Sequence, residues 1–284
     1  MNRIRNLALV LLALAAPAAA ALGAEPEEAL PESTVALLRL PNWTKSRAAL
    51  DATALGKIAA EEGVKPYVAE VRKVLDDLLA QVEKSCGAKP VDFEKAFGGG
   101  MTLAFCGLTK TQLGDDEWAA EQVAPIVAVL AEVTDAAAAE KAGPALAALL
   151  AGGTEGEETG LGAVSAVHYT LRPEQPVDLY SFRAGGSQAW VFSPDATAPK
   201  ELAADPVFKL CRERAGLGGE LFLYVGVKAW MEEVAAAVGE NERKAVDAFA
   251  KASGCSDLTG LAWAVTAEAP GFRTKTFAAC SPEP

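Results

Sequence analysis

One histidine, three methionines and an aromatic content of 7% leave this chain short of the side chains that most often carry acid–base chemistry, thioether ligation and base stacking. Positive charge is scarce as well. Lys and Arg number 26 against 38 Asp and Glu, a formal balance of −12. A field of that sign repels phosphate backbones and anionic lipid surfaces, so the chain is not expected to bind nucleic acid. No C-x-x-C spacing occurs among Cys86, Cys106, Cys211, Cys255 and Cys280, which argues against a thioredoxin-type redox motif and against a zinc knuckle. Beyond the amino-terminal segment no run reaches 18 uninterrupted apolar residues, so no stable membrane span is expected in the mature chain.

What is present begins with an address. Residues 1–24 open on Arg3 and Arg5, run through the apolar stretch Leu7 to Ala16, and end in Pro17 and a small-residue tract through Ala21. That is the layout of a secretory signal, and the apolar centre is shorter than the roughly 20 residues a spanning helix needs. Cleavage after Ala21 or Ala24 leaves 24 bases against 38 acids, a balance of −14. The expected product is an exported, periplasmic or extracellular protein covering residues 25–284, its acids serving mainly solubility. Export would place five cysteines, an odd number, in an oxidising compartment. Pairs such as Cys86 with Cys106 and Cys255 with Cys280 are compatible with the spacing, as is a set of buried reduced thiols, and connectivity does not follow from sequence.

The remaining pattern reads as α+β: antiparallel or mixed sheets with long amphipathic helices packed on one face. Ser33 to Leu40 reads as a buried strand, and Asn42 or Thr44 can cap a helix through Ala60. Val64, Tyr67, Val68, Val71, Val74, Leu75, Leu78, Leu79 and Val82 recur at spacings of three and four, which predicts a long amphipathic helix with its stripe in the core. A short helix around Val91 to Phe97 leads to Gly98, Gly99 and Gly100, then to a strand from Met101 to Leu108. Thr109 to Gln122 reads as a polar surface excursion. Pro125 to Val133 reads as a central strand, Ala136 to Ala151 as a helix capped by Asp135, and Gly152 to Gly162 as a loop. A meander of three strands is expected over Ala163 to Leu171, Val177 to Ala184 and Gln188 to Phe192. A helical stretch over Lys200 to Arg214 in two pieces, broken at Asp205 and Pro206, a strand over Glu220 to Val227, two helices over 228–238 and 242–253, and a hairpin of Leu261 to Glu268 with Phe272 to Ala279 complete the chain.

Three constellations invite a chemical reading. The triple glycine resembles a phosphate cradle but lacks the downstream Lys and Ser or Thr of a P-loop, so a permissive turn is expected. Asp115, Asp116 and Glu117 have no further ligands at metal-binding spacing. His168 sits in the first meander strand, and Ser187 follows Gly185 and Gly186 without the second glycine of a nucleophile elbow. No catalytic, metal or cofactor residue is assigned, and no cofactor is expected.

The order strand, paired helices, strand occurs near both ends, with Ser85-Cys86-Gly87 and Ser253-Gly254-Cys255 at matching places. Two pseudo-repeated halves, about 25–122 and 123–284, are one reading, and the ordinary run of α+β elements is the other. Leu30-Pro31-Glu32-Ser33-Thr34, Ala52-Thr53-Ala54-Leu55-Gly56-Lys57, Ala203-Ala204-Asp205-Pro206-Val207-Phe208 and the strand Leu221 to Val227 resemble a family of uncharacterised exported bacterial proteins. The resemblance extends over most of the mature chain. Its members are often longer and carry no assigned catalytic residues, so it implies export and no site. The function expected from these observations is a noncatalytic envelope or secreted module that binds an unknown protein or small-molecule ligand. The alternatives are an exported hydrolase using His168 and a carrier of lipid or another apolar ligand.

Overall fold

Period-two alternation sorts the interior into two layers. Along the strand Ala120–Glu132, Ala128 and Leu130 join one apolar cluster while Val129 and Ala131 join another. The same split separates Tyr180 and Phe182 from Leu179, and Ala189 from Trp190. Both faces of the sheet are therefore interior, and each needs its own cover. The computed structural model that shows this describes residues 30–31, 34–86, 90–113, 120–161, 164–171, 177–184, 186–193, 202, 205–238 and 240–281. The expected signal, 1–24, and the acids Asp115, Asp116 and Glu117 lie outside the described residues.

In chain order the strands are β1 (Ala36–Leu40), β2 (Met101–Leu113), β3 (Ala120–Glu132), β4 (Glu157–Leu161), β5 (Val164–Tyr169), β6 (Asp178–Ala184), β7 (Ser187–Ser193), β8 (Leu221–Val225), β9 (Leu258–Glu268) and β10 (Gly271–Cys280). They form one sheet in the order β10-β9-β8-β1-β2-β3-β7-β6-β5-β4. Every neighbouring pair is antiparallel. The helices are α1 (Trp43–Ala52), α2 (Ala54–Ala59), α3 (Lys65–Cys86), α4 (Pro90–Ala96), α5 (Ala136–Leu150), α6 (Pro206–Ala215), α7 (Val227–Ala237) and α8 (Glu240–Ser253).

The expected fold class is corrected by this arrangement. There is one antiparallel sheet of ten strands instead of several antiparallel or mixed ones, and it is covered on both faces. On the first face, Phe208, Cys211 and Ala215 of α6 pack with Phe222, Tyr224, Ala262 and Ala264. On the second, Ala139, Ala142, Leu146 and Ala147 of α5 pack with Trp190, Phe192 and Leu179, and Phe93 of α4 joins them. Trp230 of α7 meets Phe105 on that second face, ring centroids 5.3 Å apart. Apart from α3 the helices are short, 6 residues in α2 and 15 in α5. The 22-residue α3 lies chiefly against α4 and α5 and does not form a layer on the sheet, and its stripe is only partly inside: Tyr67 and Val71 are exposed. A regular apolar spacing fixes a stripe but not what covers it.

Local chemistry explains the element ends. Asn42 accepts from Lys45 N–H at 2.9 Å and starts α1, Asp135 accepts from Ala138 N–H at 3.0 Å and starts α5, and Asp205 accepts from Phe208 N–H to start α6 with Pro206 in its first turn. Thr53 ends α1 and starts α2, because its hydroxyl donates to Leu50 O and accepts from Gly56 N–H. The single helix expected through Ala60 is thus two. The polar excursion expected over 109–122 is in part the arms of the β2–β3 hairpin, and the loop expected over 152–162 contains β4. Pro125 is tolerated because β3 pairs with β7 only from Val127 onward, so at Pro125 one edge of the strand carries no ladder.

β1 and β8 are adjacent within the sheet, fourth and third from the β10 edge, and each leads through helices to a hairpin, β2–β3 on one side and β9–β10 on the other. The segments that share this order are therefore two arms of one sheet. The junction expected near 122–123 falls inside β3.

Candidate functional site

The single histidine is held at the β5–β6 pairing. His168 and Tyr180 are opposite each other, so both rings stand on the first face, where they stack with centroids 4.8 Å apart and planes 15° from parallel. Asp178 is two residues before Tyr180 and shares that face, which brings its Oδ2 to 2.8 Å from His168 Nε2. Its other oxygen accepts from Leu171 N–H at 3.1 Å. One carboxylate thus ties the end of β5 to the start of β6. Glu157 of β4 lies opposite His168, and Ser193 of β7 lies opposite Asp178, which gives a polar row across four neighbouring strands. The His168 and Asp178 side chains retain 25% and 29% of their exposure, so the pair is reachable from solvent.

A carboxylate accepting from Nε2–H fixes the tautomer that leaves the lone pair on Nδ1. The pair is an oriented base. The ring's hydrogen bond goes to Asp178 and its stacking contact to Tyr180. Ser187 is not its partner. It stands opposite Ala184, four residues from Tyr180 along β6 and one strand further on, so its backbone starts roughly 16 Å from that of His168 at about 3.3 Å per residue and 4.8 Å per strand. The Ser187 hydroxyl is buried without a protein partner among the described residues, as is that of Thr102. Asp178 escaped the sequence reading because its contact depends on the β5–β6 register. The alternation of Asp178, Tyr180 and Phe182 was the only available signal.

The triple glycine has a different occupant from the one its composition suggests. Gly100 N–H donates to Glu132 Oε2 at 2.9 Å, and Arg39 Nη2 stands 3.5 Å from Glu132 Oε1. A Cβ at Gly99 would lie 2.3 Å from Glu132 Oε2. The turn is therefore a cradle for an anion, and the anion is the protein's own carboxylate at the end of β3. Thr134 closes the arrangement by accepting from Gly98 N–H and donating to Lys95 O. A second carboxylate plays a similar part at the β2 bulge: Gly107, at φ 125°, faces Glu233 of α7, which accepts from Leu108 N–H at 2.9 Å.

Thiol chemistry divides by depth. Cys106 and Cys211 are buried and unpaired, and Cys255 and Cys280 are half-buried and exposed. Burial pushes the Cys106 thiol up to about 11 against a smaller opposing effect of its Thr34 hydrogen bond, and burial with the nearby Asp205 charge pushes Cys211 up to about 11. Burial, then Asp205 and Cys211, also raise Tyr224. These groups stay protonated near neutrality and are poor nucleophiles.

Among the described residues no three His, Cys, Asp or Glu side chains converge as metal ligands, and no helix is long and apolar enough to cross a membrane. Exposed apolar side chains, by contrast, are frequent on one run of elements, with Leu50, Leu55, Ile58, Trp230, Phe249, Trp263 and Phe272, while Tyr67 and Val71 stand apart on α3 and Val123 and Leu210 on β3 and α6. α1 touches α2 and β9, α7 touches β9 and α8, and Ala54 N–H donates to Pro270 O at 2.7 Å, which pins the α1–α2 corner to the β9–β10 turn. Of these residues, Tyr67 and Val71 belong to the stripe that periodicity places in the core. Comparison with family models, with curated proteins and with solved structures finds no match for this chain.

Proposed function

We propose that the protein is an exported, noncatalytic interaction module whose recognition surface is the apolar helical layer over the β8–β10 arm. The observation that carries this reading is the exposure of Phe249 at 69%, together with Leu55, Ile58, Trp230, Trp263 and Phe272, on elements joined by contacts that run from α2 through α1, β9 and α7 to α8, with β10 beside β9. Large apolar side chains exposed together cost free energy in water and are kept where a partner covers them. The occupant that suits this surface is a protein face that is itself apolar.

A photocrosslinking residue placed at position 55 or 249, in cells that export the chain, is expected to capture one discrete protein adduct. The same residue at Lys209, exposed on α6 of the other face, is the control. No adduct from 55 and 249, or the same adduct from 209, would remove the proposal. Lipid copurifying with the native chain in mass spectrometry would replace it with the apolar-ligand carrier.

A second reading is favoured by the contact of His168 with Asp178. Such a pair could act as the base of an exported hydrolase if a substrate or its bound water supplied the group to be deprotonated. Hydrolysis of an ester, peptide or glycoside panel that falls at least a hundredfold in His168→Ala and Asp178→Asn would support it, and unchanged rates would end it.

A further inference from the structure

Ten strands alternate in direction without exception, so the two outermost, β4 and β10, run opposite ways. Each pairs on one side only among the described residues. A copy of the chain displaced along the sheet would bring its β4 beside β10 in antiparallel sense, with both faces of the sheet continuing across the junction. An odd number of strands would not allow this.

The edges also differ in charge. β10 exposes Arg273 and Lys275, and Arg273 reaches Glu268 at 2.6 Å. β4 exposes Glu157 and Glu158. Pairing β10 with β10, or β4 with β4, brings like charges together across a ladder, whereas β4 on β10 can set Glu157 directly against Lys275 with Arg273 at the diagonal of the same face. Placing Glu157 opposite Lys275 makes the remaining pairs follow: Glu158 meets Thr274, Thr159 meets Arg273, and Gly160 meets Phe272. The last pair is independent of charge. The side-chain side of Gly160 is open, with no atom within 4 Å of an added Cβ, and Phe272 is 45% exposed on the matching face of its strand. An aromatic ring lying over a cross-strand glycine is a recurrent way of covering bare backbone.

We propose that β4 of one copy adds in antiparallel register to β10 of the next, so that the chain associates head to tail with itself. The partner is a second copy of this chain, and the contact repeats instead of closing, because it joins two different edges. With five residues in β4 the ladder is short, and the association is weak and dependent on ionic strength. The surface involved is the β10 edge of the sheet, and it shares Phe272 with the apolar surface proposed above.

Sedimentation velocity of the mature chain at rising concentration tests this. The expected result is a reversible series that extends beyond dimer and shrinks as salt is raised. The pair Arg273→Glu with Lys275→Glu is expected to be monomeric, as is Glu157→Lys with Glu158→Lys, and an equimolar mixture of the two variants is expected to restore the series. Lys275→Gln, which removes a charge without reversing it, should weaken association several-fold and guards against loss through misfolding, with circular dichroism as the check. A wild-type chain that stays monomeric at every concentration and salt would overturn the proposal. So would association that both reversed variants retain unchanged, since that places the contact on another surface.

Discussion

A thiol in the interior ionises only by leaving an anion where water cannot reach it, and this makes the two buried cysteines silent reporters of folding. Cys106 and Cys211 are expected to resist a water-soluble disulfide reagent in the native protein and to react fully in denaturant, while Cys280 reacts at once. A time course with 5,5′-dithiobis(2-nitrobenzoate) checks this. The same burial bears on alkaline stability. Cys106 has a folded-state value near 11 against 9.0 for the ordinary thiol, so its contribution is complete below pH 9 and is lost as pH rises towards 11, where only the unfolded chain ionises freely. Chemical denaturation at pH 8 and pH 10.5 should show that slope, and Cys106→Ala should flatten it by about 2 kcal/mol. At Gly99 the constraint is steric. A methyl group there meets the Glu132 carboxylate, so Gly99→Ala is expected to cost about 1–3 kcal/mol in urea titration, while Gly153→Ala, with open space but φ of 89°, costs about 1 kcal/mol from backbone strain alone.

Single elements show why some of the fold is legible in sequence and some is not. Helix starts are legible because a cap is local: Asn42, Asp135 and Asp205 each bond a backbone N–H three residues on. β4 is not, since Glu157–Leu161 buries a single side chain and offers two glutamates and a glycine where a strand pattern needs alternation. The outer parts of β2 and β3 hide for a related reason: Thr109 to Gln112 are held by pairing to residues 121–124 and carry little apolar signal. The His168–Asp178 contact is set by the register of β5 on β6, and that register is what sequence leaves open there. Helix α5 offers a graded test of local against tertiary effects. Removing its cap by Asp135→Ala should cost about 1 kcal/mol. Removing Trp190, fully buried beneath it and set edge-on to Phe97 at 5.2 Å, by Trp190→Ala should cost about 3–5 kcal/mol. Thermal unfolding of the two variants would rank them, and equal losses would mean that α5 stands without the sheet.

At the scale of the whole molecule, the two order-matched arms share one sheet, and neither is expected to fold alone. A fragment ending at residue 122 keeps the first three residues of β3 and loses the rest, which removes the β3 partners of β2 from Met101 to Lys110. Far-ultraviolet circular dichroism of that fragment should show no cooperative transition, whereas the mature chain should unfold in one step followed equally by tryptophan emission and dichroism. Two separated steps in the mature chain would mean that the arms melt independently. The pattern of strands and helices near each end is visible in sequence. Their union through β1 and β8 is not, because it joins residues 36–39 to residues 222–225 with most of the chain between them.

The position of β1 has a consequence for a chain delivered amino end first. This interior strand is among the earliest parts to emerge, yet one of its two edges has no neighbour until Leu221 to Val225 has followed. Until then five residues rich in leucine present bare amides and carbonyls, with Arg39 as their one charge. The sheet is therefore completed from within and late, and a helper that shields unfinished strands would be needed most in the interval before the last quarter of the polypeptide arrives.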